Sequence, residues 1–302
     1  MRAIDLSMKL KNLFFLLLLG SIPLFGAVPL DDARKIELRG LTDRLKYQSG
    51  RISLRDDVAT INLPENFRYI DPAGSTTLLN GIWGNPPSEA KLLGVIVPTG
   101  FDPLADDAWC VILDFVEDGY VKDHDAETIN YDKLLKQMKE GTREASAERV
   151  KNGYPPIELV GWATPPRYDK QTHKFYWAKE LKFGEGENTL NYNLRVLGRR
   201  GILVLNAVAP ISQLPQVEKA TPEILGMVDF NEGHRYADYN ASTDKLATYG
   251  LAALVAGGIA AKTGLLKGLI VAILAFKKFI IIGLIAAAAF AKKLFGARGQ
   301  TS

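Results

Sequence analysis

The sequence predicts an α+β fold, a mainly antiparallel sheet with flanking helices, followed by C-terminal membrane helices. Three observations lead there. β-rich runs recur in pairs around short turns, as hairpins do. Amphipathic helices fall between them irregularly instead of alternating with single strands. Both ends of the 302-residue chain are strongly apolar.

Taken in order, Arg2, Lys9 and Lys11 precede an apolar run from Leu13 to Phe25, then Gly26 and Ala27. That is the order of a secretory signal, so residues 1–27 are assigned to a signal peptide; an uncleaved N-terminal anchor fits the same pattern. Ala33, Ile36, Leu41 and Leu45 recur at helical spacing among charges, which makes 28–49 a helical segment. A folded domain is expected over 50–243. It begins with "RISL" and "VATINL", a hairpin around Arg55-Asp56-Asp57, and continues with strands at "LLGVIVP", "WCVILDFV" and "IELVGWA". Cys110, the only cysteine, excludes an intramolecular disulfide and reads as a buried, inert thiol on a central strand.

Two later hairpins are clearer. "PPRYDKQTHKFYWAKELKF" turns at Asp169–Thr172, and "TLNYNLRVLGRRGILVLNAVA" turns at Gly198-Arg199-Arg200-Gly201, where glycines accept the positive φ of a tight turn. Ile202–Val208 is apolar on both faces and belongs at the sheet centre. Tyr131, Leu134, Leu135 and Met138 form the apolar stripe of one helix, which stops at Gly153 before two prolines. A second helix starts with Thr221 as N-cap and Pro222 at its first position, burying Ile224, Leu225 and Val228.

Charge divides the chain. Residues 28–243 hold 26 Lys/Arg against 32 Asp/Glu, whereas 244–302 hold 8 against 1. An acidic body with a basic, apolar tail excludes nucleic acid as partner and fits a lipid bilayer. Residues 244–266 are assigned to a transmembrane helix, because Leu246–Ala261 carries no charge and Lys245 and Lys262 can snorkel from its ends. Ala253, Gly257 and Ala261 repeat every four residues, a spacing that permits self-association. Residues 267–295 form a second hydrophobic helix interrupted by Lys277 and Lys278, either interfacial or a second span; 296–302 is a tail.

Chemistry is sparse. The run Asp123-His124-Asp125 offers metal-ligating types, but adjacent residues point different ways, and His173 and His234 have no partner in the pattern. Ser88–Lys91 and Lys262–Gly264 match two penicillin-binding signatures, yet the second lies in the apolar tail. No catalytic, cofactor-binding or metal residue is assigned. An aromatic, proline-rich set, Trp83, Tyr154, Trp162 and Tyr168, supplies rigid anchors that pack a core edge or dock a partner.

The stretches "LPENFRYIDPAGSTTLLNGIWGNPP", "ERVKNGYPPIELVGWATPPRYD", "HKFYWAKELKF" and "FNEGHRYADYNASTDKLATYGLAALVAGG" resemble, in unbroken order, the bacterial family of uncharacterised membrane-anchored proteins catalogued as domain of unknown function 2167. The resemblance implies a signal-bearing protein of the inner membrane whose main domain lies outside the cytoplasm, and it transfers no catalytic residue. The order of strands and helices is also similar to the PsbP-like sandwich. The expected function is a non-enzymatic binding or accessory module of the bacterial envelope, with an unidentified envelope protein as partner. The alternative is an envelope hydrolase whose site no pattern reveals.

Overall fold

The computed structural model describes residues 32–85, 91–151, 155–184 and 187–256. The signal segment, the tail beyond 256, Tyr154, Gly257, Ala261 and both penicillin-binding matches lie outside these residues.

The elements are α1 (Asp32–Thr42), β1 (Tyr47–Gln48), β2 (Gly50–Leu54), β3 (Ala59–Leu63), β4 (Phe67–Ile70) and α2 (Pro72–Thr76), which runs into a π-helical turn at Thr77–Ile82. Next come β5 (Gly94–Pro98), β6 (Cys110–Val116), α3 (Tyr131–Lys151), β7 (Ile157–Asp169), β8 (Lys174–Phe183), β9 (Thr189–Leu197) and β10 (Ile202–Pro210). The described residues end with α4 (Leu214–Met227), β11 (Val228–Phe230) and α5 (Leu251–Ala256). Eight strands form one sheet in the order β1-β4-β5-β6-β10-β9-β8-β7, and β11-β3-β2 form a second. Every strand pair is antiparallel. The α+β class and the hairpins therefore stand.

Period-2 alternation sorts the large sheet into two faces. Leu190, Tyr192, Leu194 and Val196 of β9 meet Leu203, Leu205 and Ala207 of β10 on one face, under β3, β11 and α4. The opposite face carries two apolar clusters. One joins Cys110, Ile112 and Val208 to α1 and the π-helical turn; the other joins Phe175, Trp177 and Val204 to α5. Cys110 is fully buried on the fourth strand of eight.

Four expectations need correction. In α1 the inward residues are Leu38, buried, and Leu41, partly buried, with Leu45 buried just past the helix end, whereas Ile36 is 71% exposed; they pack with the π-helical turn. α4 starts at Leu214, so Thr221 and Pro222 are interior, and the Thr221 hydroxyl donates back to Val217 O at 2.8 Å. Burial of Val217, two turns before Ile224, holds the earlier turns in place, and tertiary packing overrides the Thr-Pro start signal.

The third correction concerns the β9–β10 turn. Neither Gly198 nor Gly201 has a positive φ. Glycine is needed there for space: an added Cβ would lie 2.5 Å from the Phe230 ring at Gly198 and 2.2 Å from the Val116 carbonyl oxygen at Gly201. Left-handed backbone is found instead in the β2–β3 turn, at Arg55, Asp56 and Asp57. Arg55 is held there by Glu117 and by the Phe115 ring face, 4.5 Å from its guanidinium carbon.

The fourth is the start of the supposed membrane span. Residues 244–256 belong to the body. Asp244 is almost fully covered, accepting from Arg199 Nε at 2.6 Å and Nη2 at 3.1 Å, and the Arg199 contact holds its carboxyl far below the usual range. Tyr120 N donates to Lys245 O at 2.9 Å, and Ala247 N returns a bond to Tyr120 O at 2.8 Å. Leu251, Leu254 and Val255 are buried against the sheet. Among the described residues no helix is long and apolar enough to cross a membrane.

Candidate functional site

The face of the sheet beneath α3 is not uniformly apolar. On β9, Asn191, Asn193 and Arg195 point the same way, at successive alternate positions, and all are buried. Cross-strand register sets Lys179 of β8 beside Asn191, Asn206 of β10 beside Asn193, and Asp114 of β6 two strands from Arg195. A polar band thus crosses the sheet diagonally between the two apolar clusters.

The band is wired in one direction. Arg195 Nη1 donates to Leu194 O at 2.8 Å, to Asn206 Oδ1 at 3.1 Å and to Leu205 O at 3.3 Å. Its Nη2 donates to Asn193 Oδ1 at 3.3 Å, and Asn193 Nδ2 donates to Asn191 Oδ1 at 3.0 Å and Asn191 O at 2.9 Å. A guanidinium has no acceptor, so it fixes the orientation of both amides in turn. The chain ends on Asn191 Nδ2, which is buried and has no acceptor, as are Arg195 Nε and the indole Nε1 of Trp177. The Trp177 ring lies 5.1 Å from the Arg195 guanidinium carbon.

Lys179 adds a further donor. Its Nζ has no hydrogen-bond or ion-pair partner among the described residues. Lys174, on the same strand, shows the usual arrangement: its Nζ donates to Leu225 O at 2.6 Å and Val228 O at 3.1 Å and pairs with Asp229 at 3.0 Å. Burial, then the charge of Arg195, pulls the Lys179 pKa down to about 8. Burial likewise lowers Arg195 to about 10 and raises Asp114, against the pull of its backbone contact and of Arg195. Lys179 keeps some accessible surface although protein surrounds it, because it borders a cavity.

That cavity measures about 240 Å³. Lys179 and Asn191 form its polar floor, and Leu134, Met138, Ile157, Leu159 and Leu181 form apolar walls. Gln137, Gly141 and Thr142 of α3 and Ala256 of α5 complete it. The Thr142 hydroxyl is committed to Met138 O at 2.8 Å. Space for roughly eight waters, at ~30 Å³ each, lies above two unpaired donors.

A second cluster gathers around Tyr168. Its hydroxyl donates to Asp123 Oδ2 at 2.7 Å and lies 3.0 Å from His173 Nδ1. His173, Tyr236, Tyr120 and Tyr239 form a continuous stack with centroid separations of 4.0, 4.3 and 4.0 Å. Burial, then the hydrogen bond to Asp123, pushes the Tyr168 hydroxyl well above its ordinary range. Burial would raise Asp123, but bonds from Tyr168 and Tyr236 outweigh it and hold the carboxyl low. These groups satisfy one another, and the stacked rings cover each other's faces. The cluster ties together the 118–126 loop, the β7–β8 turn and the 231–247 segment.

The residues singled out from the sequence do not assemble. Trp83 is buried, and its indole Nε1 donates to Pro103 O at 2.8 Å, so it packs in the core. Trp162 is half-buried in the cluster that includes α5, and Tyr168 belongs to the stack just described. Ala253 is half-buried on α5. Asp123-His124-Asp125 diverges as adjacency requires: Asp123 meets Tyr168, His124 is exposed, and Asp125 accepts from Leu251 N and Ala252 N at 3.3 Å, at the start of α5.

Fold and cavity define an antiparallel α+β domain with a partly open, ligand-sized space on one face of its main sheet. The chain belongs to the family described as protein of unknown function (DUF2167), whose model matches residues 46–288. No curated protein matches it. Solved structures with some similarity include PsbP (CyanoP) from Synechocystis sp. PCC 6803, at 12% identity over 61% of this chain and 92% of that one, TM-score 0.33. The Ran-binding protein Mog1p of Saccharomyces cerevisiae is 13% identical over 62% and 96%, TM-score 0.30. LpqN, involved in cell envelope biogenesis of Mycobacterium tuberculosis, is 16% identical over 64% and 95%, TM-score 0.30.

Proposed function

We propose that this protein is a membrane-tethered, extracytoplasmic module of the bacterial envelope that binds a small, mostly apolar molecule between α3 and the sheet. The observation that carries the reading is the cavity itself: five apolar side chains beside a floor where Asn191 Nδ2 is buried without an acceptor and Lys179, which keeps some accessible surface, has no partner among the described residues. A buried unpaired donor costs about 1–3 kcal/mol, more when charged, and a bound molecule supplying an acceptor removes that cost. Binding is favoured over hydrolysis because no nucleophile–base pair lines the cavity among the described residues. The placement outside the cytoplasm rests on the sequence: a basic, short apolar start, an acidic body, and a basic apolar tail.

Gly141 allows a test that leaves the fold intact. It lies in α3 at the cavity, and an added Cβ there meets nothing within 4 Å. Gly141→Leu adds an apolar side chain at the exposed rim of the cavity while improving helix propensity by up to ~1 kcal/mol. Full-length protein in lipid nanodiscs is expected to bind n-octanol by calorimetry, above an empty-nanodisc background, and Gly141→Leu to lose that binding while melting no lower. Equal binding by both proteins, or by neither, contradicts the proposal.

A further inference from the structure

Resting on that reading, the geometry points to a chemical class for the occupant: we propose that the cavity selects an anionic amphiphile, a monocarboxylate with a chain of about eight carbons, its carboxylate held between Lys179 and Asn191.

Donor and acceptor parity sets the headgroup. Asn191 could in principle present either end of its amide to the cavity. It presents Nδ2, because Asn193 donates to its Oδ1 at 3.0 Å, and Asn193 is turned that way by Arg195. The orientation propagates from a group that can only donate, so the end of the chain must also donate. Lys179, paired in register with Asn191 on the same face, is a second group that only donates when charged. Two convergent donors without an acceptor specify what is missing. A hydroxyl oxygen can accept from both but brings a donor of its own and no charge, whereas a carboxylate accepts from both, adds no donor and neutralises Lys179.

Charge points the same way. Lys179 and Arg195 are two buried cations on this face, and the one carboxylate of the band, Asp114, lies three strands from Lys179 and makes no ion pair with either cation. The elements lining the cavity contribute no acidic side chain. Length follows from volume: about 240 Å³ accommodates roughly eight groups of ~30 Å³.

The test compares three molecules of eight carbons each, octanoate, n-octanol and octylammonium, titrated into the full-length protein in nanodiscs at pH 7 with empty nanodiscs subtracted. A hydrogen bond to a charged group contributes about 1.5–3 kcal/mol, so octanoate is expected to bind at least tenfold more tightly than octanol. Octylammonium is expected to show no binding. In Lys179→Met the octanoate preference is expected to fall to twofold or less. Equal affinity of octanoate and octanol for the wild type would overturn the carboxylate assignment and leave the cavity reading standing, with water on the donors. Binding of octylammonium in preference to octanoate would overturn it as well. Failure of all three to bind would remove the underlying function, a different outcome from loss of selectivity alone.

Discussion

Replacing Lys179 with Met is expected to stabilise the ligand-free protein at neutral pH by about 3 kcal/mol. The fall of its pKa from 10.5 to about 8 is worth about 1.4 kcal/mol per unit, the cost of holding a charged ammonium in this place. Methionine is of similar length, fills irregular apolar space and carries no charge. The pH dependence has a definite sign. Below pH 8 Lys179 is charged in both folded and unfolded states, so the whole cost is present. Between pH 8 and 10.5 the unfolded chain binds more protons at this residue, and the wild type gains stability as pH rises. The advantage of Lys179→Met should therefore be constant up to about pH 8 and shrink towards zero by about pH 10.5. Tyrosines whose pKa burial raises, Tyr69 to about 12 among them, work in the opposite direction near the top of this window. They are common to both proteins and cancel in the difference. Denaturant midpoints for the two proteins between pH 6 and 10.5 measure this. A wild type more stable than Lys179→Met at pH 7 would mean that the ammonium is well paired, and the cavity would lose its reason to bind an acceptor.

Gly201→Ala is expected to cost about 3 kcal/mol, at the upper end of the usual range for inserting a methyl group into a packed site. The new Cβ would sit 2.2 Å from Val116 O, 2.8 Å from a Phe115 ring atom and 3.1 Å from Glu117 Cα. Two of these three neighbours are backbone and cannot rotate away. Relief requires shifting β6 against β10, whose register begins at the Ile202–Val116 pair beside this glycine. The midpoint of urea unfolding, set beside Gly226→Ala, where an added Cβ meets nothing within 4 Å, separates the steric effect from a general intolerance of alanine. Equal stability of the two variants would refute the close-approach account of the β9–β10 turn.

Features decided by neighbours in sequence were legible before the structure. The hairpins, the central position of Ile202–Val208 and the burial of Cys110 follow from alternation and turn composition, and the structure bears them out. Features decided by distant neighbours were not. Leu246–Val255 reads as the start of a membrane helix because a count of uncharged residues cannot tell lipid from a protein sheet. It is Tyr120, Asp125 and the apolar face around Trp177 that claim those residues. Gly198 and Gly201 look like turn glycines because the rings and carbonyls that crowd them come from elsewhere in the chain.

The cavity was hidden for the same reason. Asn191, Asn193 and Arg195 alternate with apolar residues, the pattern of a strand with one wet face, and nothing in "TLNYNLRVL" says that α3 covers the polar side. The available signal was a conflict. A strand that hairpins with Ile202–Val208, apolar but for Asn206, belongs near the sheet centre, where a polar face must be covered and its groups satisfied. A buried polar stripe left partly unsatisfied is a departure from local consistency that marks functional sites.

Occupation of the space between α3 and the sheet by a small molecule is read directly by the methionines. The chain has four, of which Met138 lines the cavity and Met227 is buried on the opposite face of the sheet. With 13C-labelled methionine methyl groups in the full-length protein, adding octanoate is expected to shift the Met138 resonance and to give nuclear Overhauser contacts between its methyl group and the octanoate chain, while Met227 stays in place. A Met138 resonance that does not move at saturating octanoate, or one that moves together with Met227 and without ligand contacts, would contradict the account.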